Sequence, residues 1–319
     1  MQMPSPPRAV TVETRLVTSR LQATVLVSKM WFREAVNSVA VRTTFADHVF
    51  GVQTAEEDFA LMQNYEPFLC DKDATLFILT VEDGERIEYT EELRQEEEGQ
   101  EIFCGKTSNG KSVFEFRWQY ETAGWMVCPD DYHEGRLVMT GKWRKLAIDN
   151  ALMVLYALAT APHQTVLFHA AVVSHEEKAY MFLGKSGTGK STHARLWLKY
   201  IEGTALVNDD NPVVRIQHDT AVVYGSPWSG KTPCYRNVSY PLGGIVLLSQ
   251  APYNKIRRLK GIEAYASLVP SISGKRWDQQ VADGLHQTEN ALAMTTTVWH
   301  LECLPDEEAA KVCQWAVES

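Results

Sequence analysis

The chain has 319 residues, 45% of them hydrophobic, enough to bury a sizeable core in two domains or one large one. A formal net charge of −9 and a pI near 5.5 exclude a broad basic face for non-specific nucleic-acid binding. No apolar run approaches the roughly 20 residues of a membrane span, and Met1-Gln2-Met3-Pro4-Ser5-Pro6-Pro7-Arg8 lacks the basic-then-apolar layout of a secretory signal.

Residues 1–141 read as a smaller, strand-rich α+β domain. A strand over 75–81 ends in the turn signal Glu82-Asp83-Gly84. Strands over 100–104 and 111–118 flank Ser108-Asn109-Gly110, where Asn-Gly supplies the positive φ angles of a tight hairpin. The acidic run 91–101 reads as a solvated loop, with an acidic recognition site as the alternative, and 125–128 and 136–139 read as short strands. Nothing catalytic stands out in this half, and its role is not assigned.

Residues 142–319 read as an α/β domain with a buried sheet. Ala147, Ala151, Val154, Leu155 and Leu158 form the apolar stripe of a helix over 143–161. Strands follow at 165–168 (leading into His169), 178–183, 204–207, 220–224 and 244–248. Helices are expected over 192–199, 261–269 and 278–293, then a strand at 297–302 and a helix starting near Asp306. Six cysteines (Cys70, Cys104, Cys128, Cys234, Cys303 and Cys313) include no C-x-x-C pair. That pattern fits free thiols in a reducing cytoplasm, so the expected location is cytoplasmic, with neither membrane nor nucleic acid as partner.

The segment Gly184-Lys185-Ser186-Gly187-Thr188-Gly189-Lys190-Ser191 matches G-x-x-x-x-G-K-[ST] in full. It lies between an expected strand and an expected helix, the context in which that pattern binds phosphate. Glycines let backbone N–H groups close around phosphate oxygens, and the helix N-terminus adds a positive dipole end. Gly184, Ser186, Gly187, Thr188, Gly189, Lys190, Ser191 and Thr192 are therefore candidate contacts to a nucleoside triphosphate, Lys190 reaching the β- and γ-phosphates and Ser191 ligating Mg²⁺. A glycine-rich turn that binds nothing is the bland alternative.

Asp209 and Asp210 end the next strand. One such acid can ligate Mg²⁺ while its neighbour takes the proton of an attacking hydroxyl, Asp210 with Ser191 being the metal-ligand candidates. The alternative is a pair that caps a turn before Pro212. His169 ends a strand and on its own reads as a core histidine; His193 on the loop helix reads as structural or solvent-facing. Gly225-Ser226-Pro227-Trp228-Ser229-Gly230-Lys231-Thr232 matches the same eight-residue pattern, but Pro227 and Trp228 fill it and Pro233 spoils the helix that must follow. It reads as an accessory loop whose Lys231, with Arg236 just beyond, can steady charge on a transferring phosphate.

The ordered set Phe168-His169-Ala170-Ala171, residues 184–191, Asp209-Asp210 and Arg236-Asn237-Val238 resembles the catalytic domain of bacterial HPr kinase/phosphorylase, within the phosphoenolpyruvate-carboxykinase-like P-loop fold. The resemblance covers residues 165–250 and implies ATP as nucleotide, His169 near the phosphates, one Asp of the pair as base, and the other with Ser191 at the metal. It implies a phosphate-contacting role for Arg236. The family's metal-holding glutamate has no counterpart near Val223-Tyr224-Gly225-Ser226, and residues 1–141 do not match the family's N-terminal domain. The expectation is a divergent, Mg²⁺-assisted, ATP-dependent kinase acting on a hydroxyl, either a protein or peptide serine or a small molecule, with a homo-oligomer compatible. The alternative is a nucleotide-binding regulatory or scaffold protein without transfer activity. A transport ATPase is disfavoured, because Ser271-Ile272-Ser273-Gly274 is not that family's signature loop.

Overall fold

Eight strands drawn from the first half of the chain hydrogen-bond into one sheet. They are β1 (Ser38–Phe45), β2 (His48–Ala55), β3 (Ile78–Asp83), β4 (Thr90–Glu97), β5 (Gln100–Lys106), β6 (Ser112–Trp118), β7 (Glu121–Cys128) and β8 (Glu134–Met139). The computed structural model describes residues 38–230 and 232–319; the N-terminal stretch 1–8 and Lys231, both read in the sequence, lie outside them. The strand order is β1-β2-β3-β8-β7-β6-β5-β4, antiparallel except where β3 lies parallel to β2 and β8. A short helix, α1 (Glu56–Phe59), and a 3₁₀ turn, Gln63–Phe68, follow β2.

The long helix α2 (Arg144–Thr160) packs across β6, β7 and β8. Its expected stripe is largely buried, with Ala147, Ala151 and Leu155 at 0% exposure, because those positions recur on the face turned to the sheet. Gly135 permits that approach: a Cβ there would stand 2.9 Å from Leu155 Cδ2 and 3.0 Å from Leu79 Cδ1.

The second sheet has nine strands: β9 (Thr165–Leu167), β10 (Ala171–His175), β11 (Lys178–Leu183), β12 (Ala205–Asn208), β13 (Val213–Gln217), β14 (Thr220–Tyr224), β15 (Ser239–Gln250), β16 (Lys255–Leu259) and β17 (Val298–Cys303). The long β15 organises it. Its first residues pair antiparallel with β14, and its later ones run parallel to β11 and to β17. Helices α3 (Lys190–Tyr200) and α6 (Glu307–Glu318) pack together, and Ala194, Trp197, Ala310 and Cys313 share a cluster with Phe182 and Val246. Helix α4 (Ile262–Leu268) contacts α5 (Gln279–Thr295), which lies against β9, β13 and β14.

The molecule is thus a mixed α/β protein with two sheets. One apolar cluster runs through both, from Phe50, Tyr65 and Phe68 to Val213 and Val223. Tyr156 stacks on Phe45 with centroids 4.5 Å apart and lies 5.5 Å from Trp228, joining α2 to the second sheet. Among the described residues no helix is long and apolar enough to cross a membrane.

The acidic run 91–101 is corrected: most of it is strand, not loop. Residues 90–97 form β4 by pairing with β5, and all eight side chains stay exposed. Backbone pairing with a strong neighbour outweighs the weak strand preference of glutamate. The strands β1, β2, β13 and β16 were not expected, and His169 stands in the link between β9 and β10 rather than at a strand end.

Candidate functional site

Residues 184–189 turn the chain from β11 into α3. Gly184, Gly187 and Gly189 have φ of 151°, 77° and 113°, a region that favours glycine. At Gly184 space is also short, since a Cβ would meet Thr188 Cβ at 3.2 Å and the Leu248 carbonyl at 3.3 Å. The turn is closed by Thr188 N donating to the Lys185 carbonyl (3.1 Å) and held from β15 by Gln250 Nε2 on the carbonyls of Gly187 and Thr188 (3.3 and 3.4 Å). Lys185, Ser186 and Gly187 are exposed, whereas Ser191 and Thr192 are half-buried. Lys190 is buried at 7% and its Nζ donates to the Gly184 carbonyl at 3.1 Å, leaving two ammonium protons for another acceptor. Burial pushes the Lys190 pKa down, against the pull of Asp210, Glu97 and Asp209.

Asn208 organises the acids. Its Oδ1 accepts from the main-chain N–H of Asp210 and Asn211, both at 2.8 Å, which is an Asx-type turn. Its Nδ2 donates to Ser226 Oγ (3.1 Å) and to the Trp228 carbonyl (3.0 Å). Asp209 is 5% exposed, and its buried Oδ2 has no hydrogen-bond partner among the described residues. Asp210 is half-buried, with Oδ1 3.4 Å from His169 Nε2 and Oδ2 accepting from Asn211 Nδ2 at 2.8 Å. Burial raises the Asp210 pKa, His169 and Lys190 draw it back, and Glu97 and Asp209 push it up again. His169 is set by its own N–H donating to the Ser271 carbonyl (2.7 Å), while Ala170 N donates to the Asp210 carbonyl (2.9 Å).

Residues 225–230 of the look-alike segment pack against the acids. Ser226 Oγ donates to the Asn211 carbonyl at 2.6 Å, and a Cβ on Gly230 would stand 3.2 Å from Asp210 Cβ. Trp228 is buried, its Nε1 donating to Tyr65 OH at 2.8 Å, and Asn64 Nδ2 donates to the Pro227 carbonyl at 2.9 Å. The segment is therefore pinned to the 3₁₀ turn of the first half. Arg236 is exposed, and its Nη1 donates to the Leu206 carbonyl on β12 at 2.6 Å.

His169 and Asp210 are thus in contact, Lys190 feels the charge of Asp209 and Asp210, and Arg236 sits beside β12. His193 is buried rather than solvent-facing, accepting at Nε2 from Trp197 Nε1 (3.2 Å), and burial drives its pKa to about 4. Sequence reasoning missed Asn208, Ser226, Gln250 and Glu97. Asn208 had a signal, because an asparagine before Asp-Asp-Asn-Pro is turn chemistry; Gln250 and Glu97 are brought in by strand pairing that no local pattern announces. Comparison with protein-family models finds no match, and no curated protein matches the chain.

The residues fit a nucleotide phosphate with its cation on two counts. The glycine turn leaves residues 185–187 exposed next to the buried Lys190. The orphaned Asp209 oxygen also needs a cationic or protic partner, since an unsatisfied buried carboxylate oxygen is costly.

Proposed function

We propose that the chain is an ATP-dependent phosphotransferase of the P-loop, HPr-kinase-like type, moving the γ-phosphoryl group to a hydroxyl. The observation that carries this reading is the grouping of Asp210 with His169 beside Lys190 and the orphaned Asp209 oxygen. A pure nucleotide-binding turn has no need of a half-buried carboxylate tied to a histidine.

In this reading the main-chain N–H groups of 187–191 and the start of α3 hold the β- and γ-phosphates, and Lys190 neutralises charge that builds between them. Ser191 and Asp209 would hold Mg²⁺, which when bound screens the phosphate oxygens from the incoming nucleophile. Asp210 takes the acceptor's proton: burial raises its basicity, and His169 and Lys190 oppose that rise. This reading assigns Asp209 to the metal and Asp210 to the base, because both Asp210 oxygens already have neighbours while an oxygen of Asp209 has none among the described residues. Arg236, whose guanidinium rests on the Leu206 carbonyl, would release it to contact a phosphate oxygen.

The test couples binding to transfer. ATP with Mg²⁺ should raise the melting temperature of the full chain, and Lys190→Ala should abolish that rise. Labelled γ-phosphate should pass to serine-containing acceptors from the wild type. Thermal protection with no acceptor labelled under any substrate set would instead favour a regulatory nucleotide binder.

A further inference from the structure

The first sheet ends at β4, whose strand partner among the described residues is β5 alone. All eight of its side chains are exposed, and among the described residues no strand pairs with its outer edge of backbone N–H and C=O groups. The edge is acidic: Glu91, Glu92, Glu96 and Glu97 stand against Arg94. Arg94 is taken up by Glu96 (3.0 Å) and by the buried Glu101, and Glu92 accepts from Trp277 Nε1 at 3.4 Å.

This strand leads to the candidate site. Glu97, at its end, is close enough to act electrostatically on both Lys190 and Asp210. A relay of contacts also links the strand end to the site. Gln100 Nε2, across the hairpin from Glu97, donates to Asn150 Oδ1 on α2 at 2.9 Å. The adjacent Asp149 accepts from Asn64 Nδ2 at 3.2 Å, and the same amide holds Pro227, in the loop whose Gly230 lies on Asp210. Beside Asp210 lies the buried Asp209 oxygen, without a hydrogen-bond partner among the described residues.

We propose that the open edge of β4 is a docking track for the phospho-acceptor, an extended Lys- or Arg-rich polypeptide segment that adds as a further strand and brings a serine or threonine hydroxyl to Asp210. The proposal rests on the phosphotransferase reading and names its acceptor class. Strand addition supplies main-chain hydrogen bonds, and alternate side chains supply specificity. The acids set the partner's sign. A second copy of β4 would place glutamates against glutamates and be repelled, whereas a basic segment is attracted along the whole edge.

The experiment measures binding apart from transfer. Fluorescently labelled peptides of about a dozen residues, long enough to cover the strand, carry one serine flanked by Lys/Arg or by Glu. Their anisotropy is read on the full chain with Mg²⁺ and a non-hydrolysable ATP analogue. The wild type should prefer the basic peptide by about tenfold or more. Glu91→Lys with Glu97→Lys should reverse that preference, a gain for the acidic peptide that a misfolded variant cannot give. Glu307→Lys, on α6, should keep the wild-type order. A basic peptide N-methylated at alternate amides should bind more weakly. Equal binding of both peptides, an unchanged order in the double variant, or undiminished binding of the methylated peptide would overturn the track. A basic peptide that binds as described but never receives labelled phosphate would remove the phosphotransferase reading and leave the track standing. A labelled acceptor indifferent to Glu91 and Glu97 would do the reverse.

Discussion

His169 Nε2 stands 3.4 Å from Asp210 Oδ1, and the next residue, Ala170, donates its main-chain N–H to the Asp210 carbonyl. Side chain and backbone together fix one carboxylate against one imidazole, although the two residues lie on different links of the second sheet. The pair has a chemical consequence. Burial raises the Asp210 pKa and the histidine opposes the rise.

Transfer should therefore fail on the acid side as Asp210 takes up a proton, with a midpoint above the ordinary aspartate value. Removing the histidine removes an attraction that favours the ionised form, so His169→Ala should shift that limb to higher pH. A pH–rate profile of kcat/KM for both proteins checks it; a limb that stays in place or moves down would contradict the coupling.

Asn208→Ala should damage the site without touching the glycine turn. It removes two acceptances at the Asp210 and Asn211 N–H groups and two donations to the 226–228 segment. Leaving those buried groups unpaired should cost about 1–3 kcal/mol in urea unfolding. Transfer should fall more than nucleotide affinity, which rests on residues 184–191.

Trp228→Ala should be among the most destabilising single changes in the second half. The ring is 5% exposed, packs against both rings of the stacked Phe45–Tyr156 pair, and bonds Tyr65. Truncating a buried tryptophan costs about 3–5 kcal/mol, read as a lower denaturation midpoint.

Two buried histidines set an acid limit on folding. Burial depresses His48 to about 3 and His193 to about 4, from an ordinary 6.5. Both are neutral in the fold, so their stabilisation is complete above pH 6.5. As pH falls below that value the unfolded chain binds protons the folded chain refuses. Stability should drop by up to about 1.4 kcal/mol per pH unit per histidine down to those lower values. His193→Gln should flatten part of that slope in urea titrations at pH 4.5 to 7; an unchanged slope would contradict the assignment.

How much of this was legible beforehand depended on how local the signal was. The glycine turn, the hairpin around Asn109-Gly110 and the stripe of α2 follow from chemistry within a few residues, but the hairpin is wider than the tight turn expected: its loop runs over 107–111, and Gly110, not Asn109, takes the positive φ. β4 did not, because its glutamates speak for solvent while its state is decided by pairing with β5. The neighbourhood of Asp209 and Asp210 was half legible. The pair announced itself, but the Asn208 turn beneath it and the Trp228 segment over it depend on contacts to residues 226–230 and to Tyr65. Glu97 was hidden for the same reason, since its approach to Lys190 comes from a different sheet.

The central claim is tested most directly by incubating the chain with γ-labelled ATP, Mg²⁺ and a panel of serine-bearing acceptors, with Asp210→Asn and Lys190→Ala alongside. The wild type should label an acceptor. Asp210→Asn should keep its thermal protection by ATP yet lose about 10²–10⁴-fold in transfer rate, the range expected for a lost general base. Lys190→Ala should lose both. Undiminished transfer by Asp210→Asn, or nucleotide protection in the wild type with no acceptor ever labelled, would contradict the account.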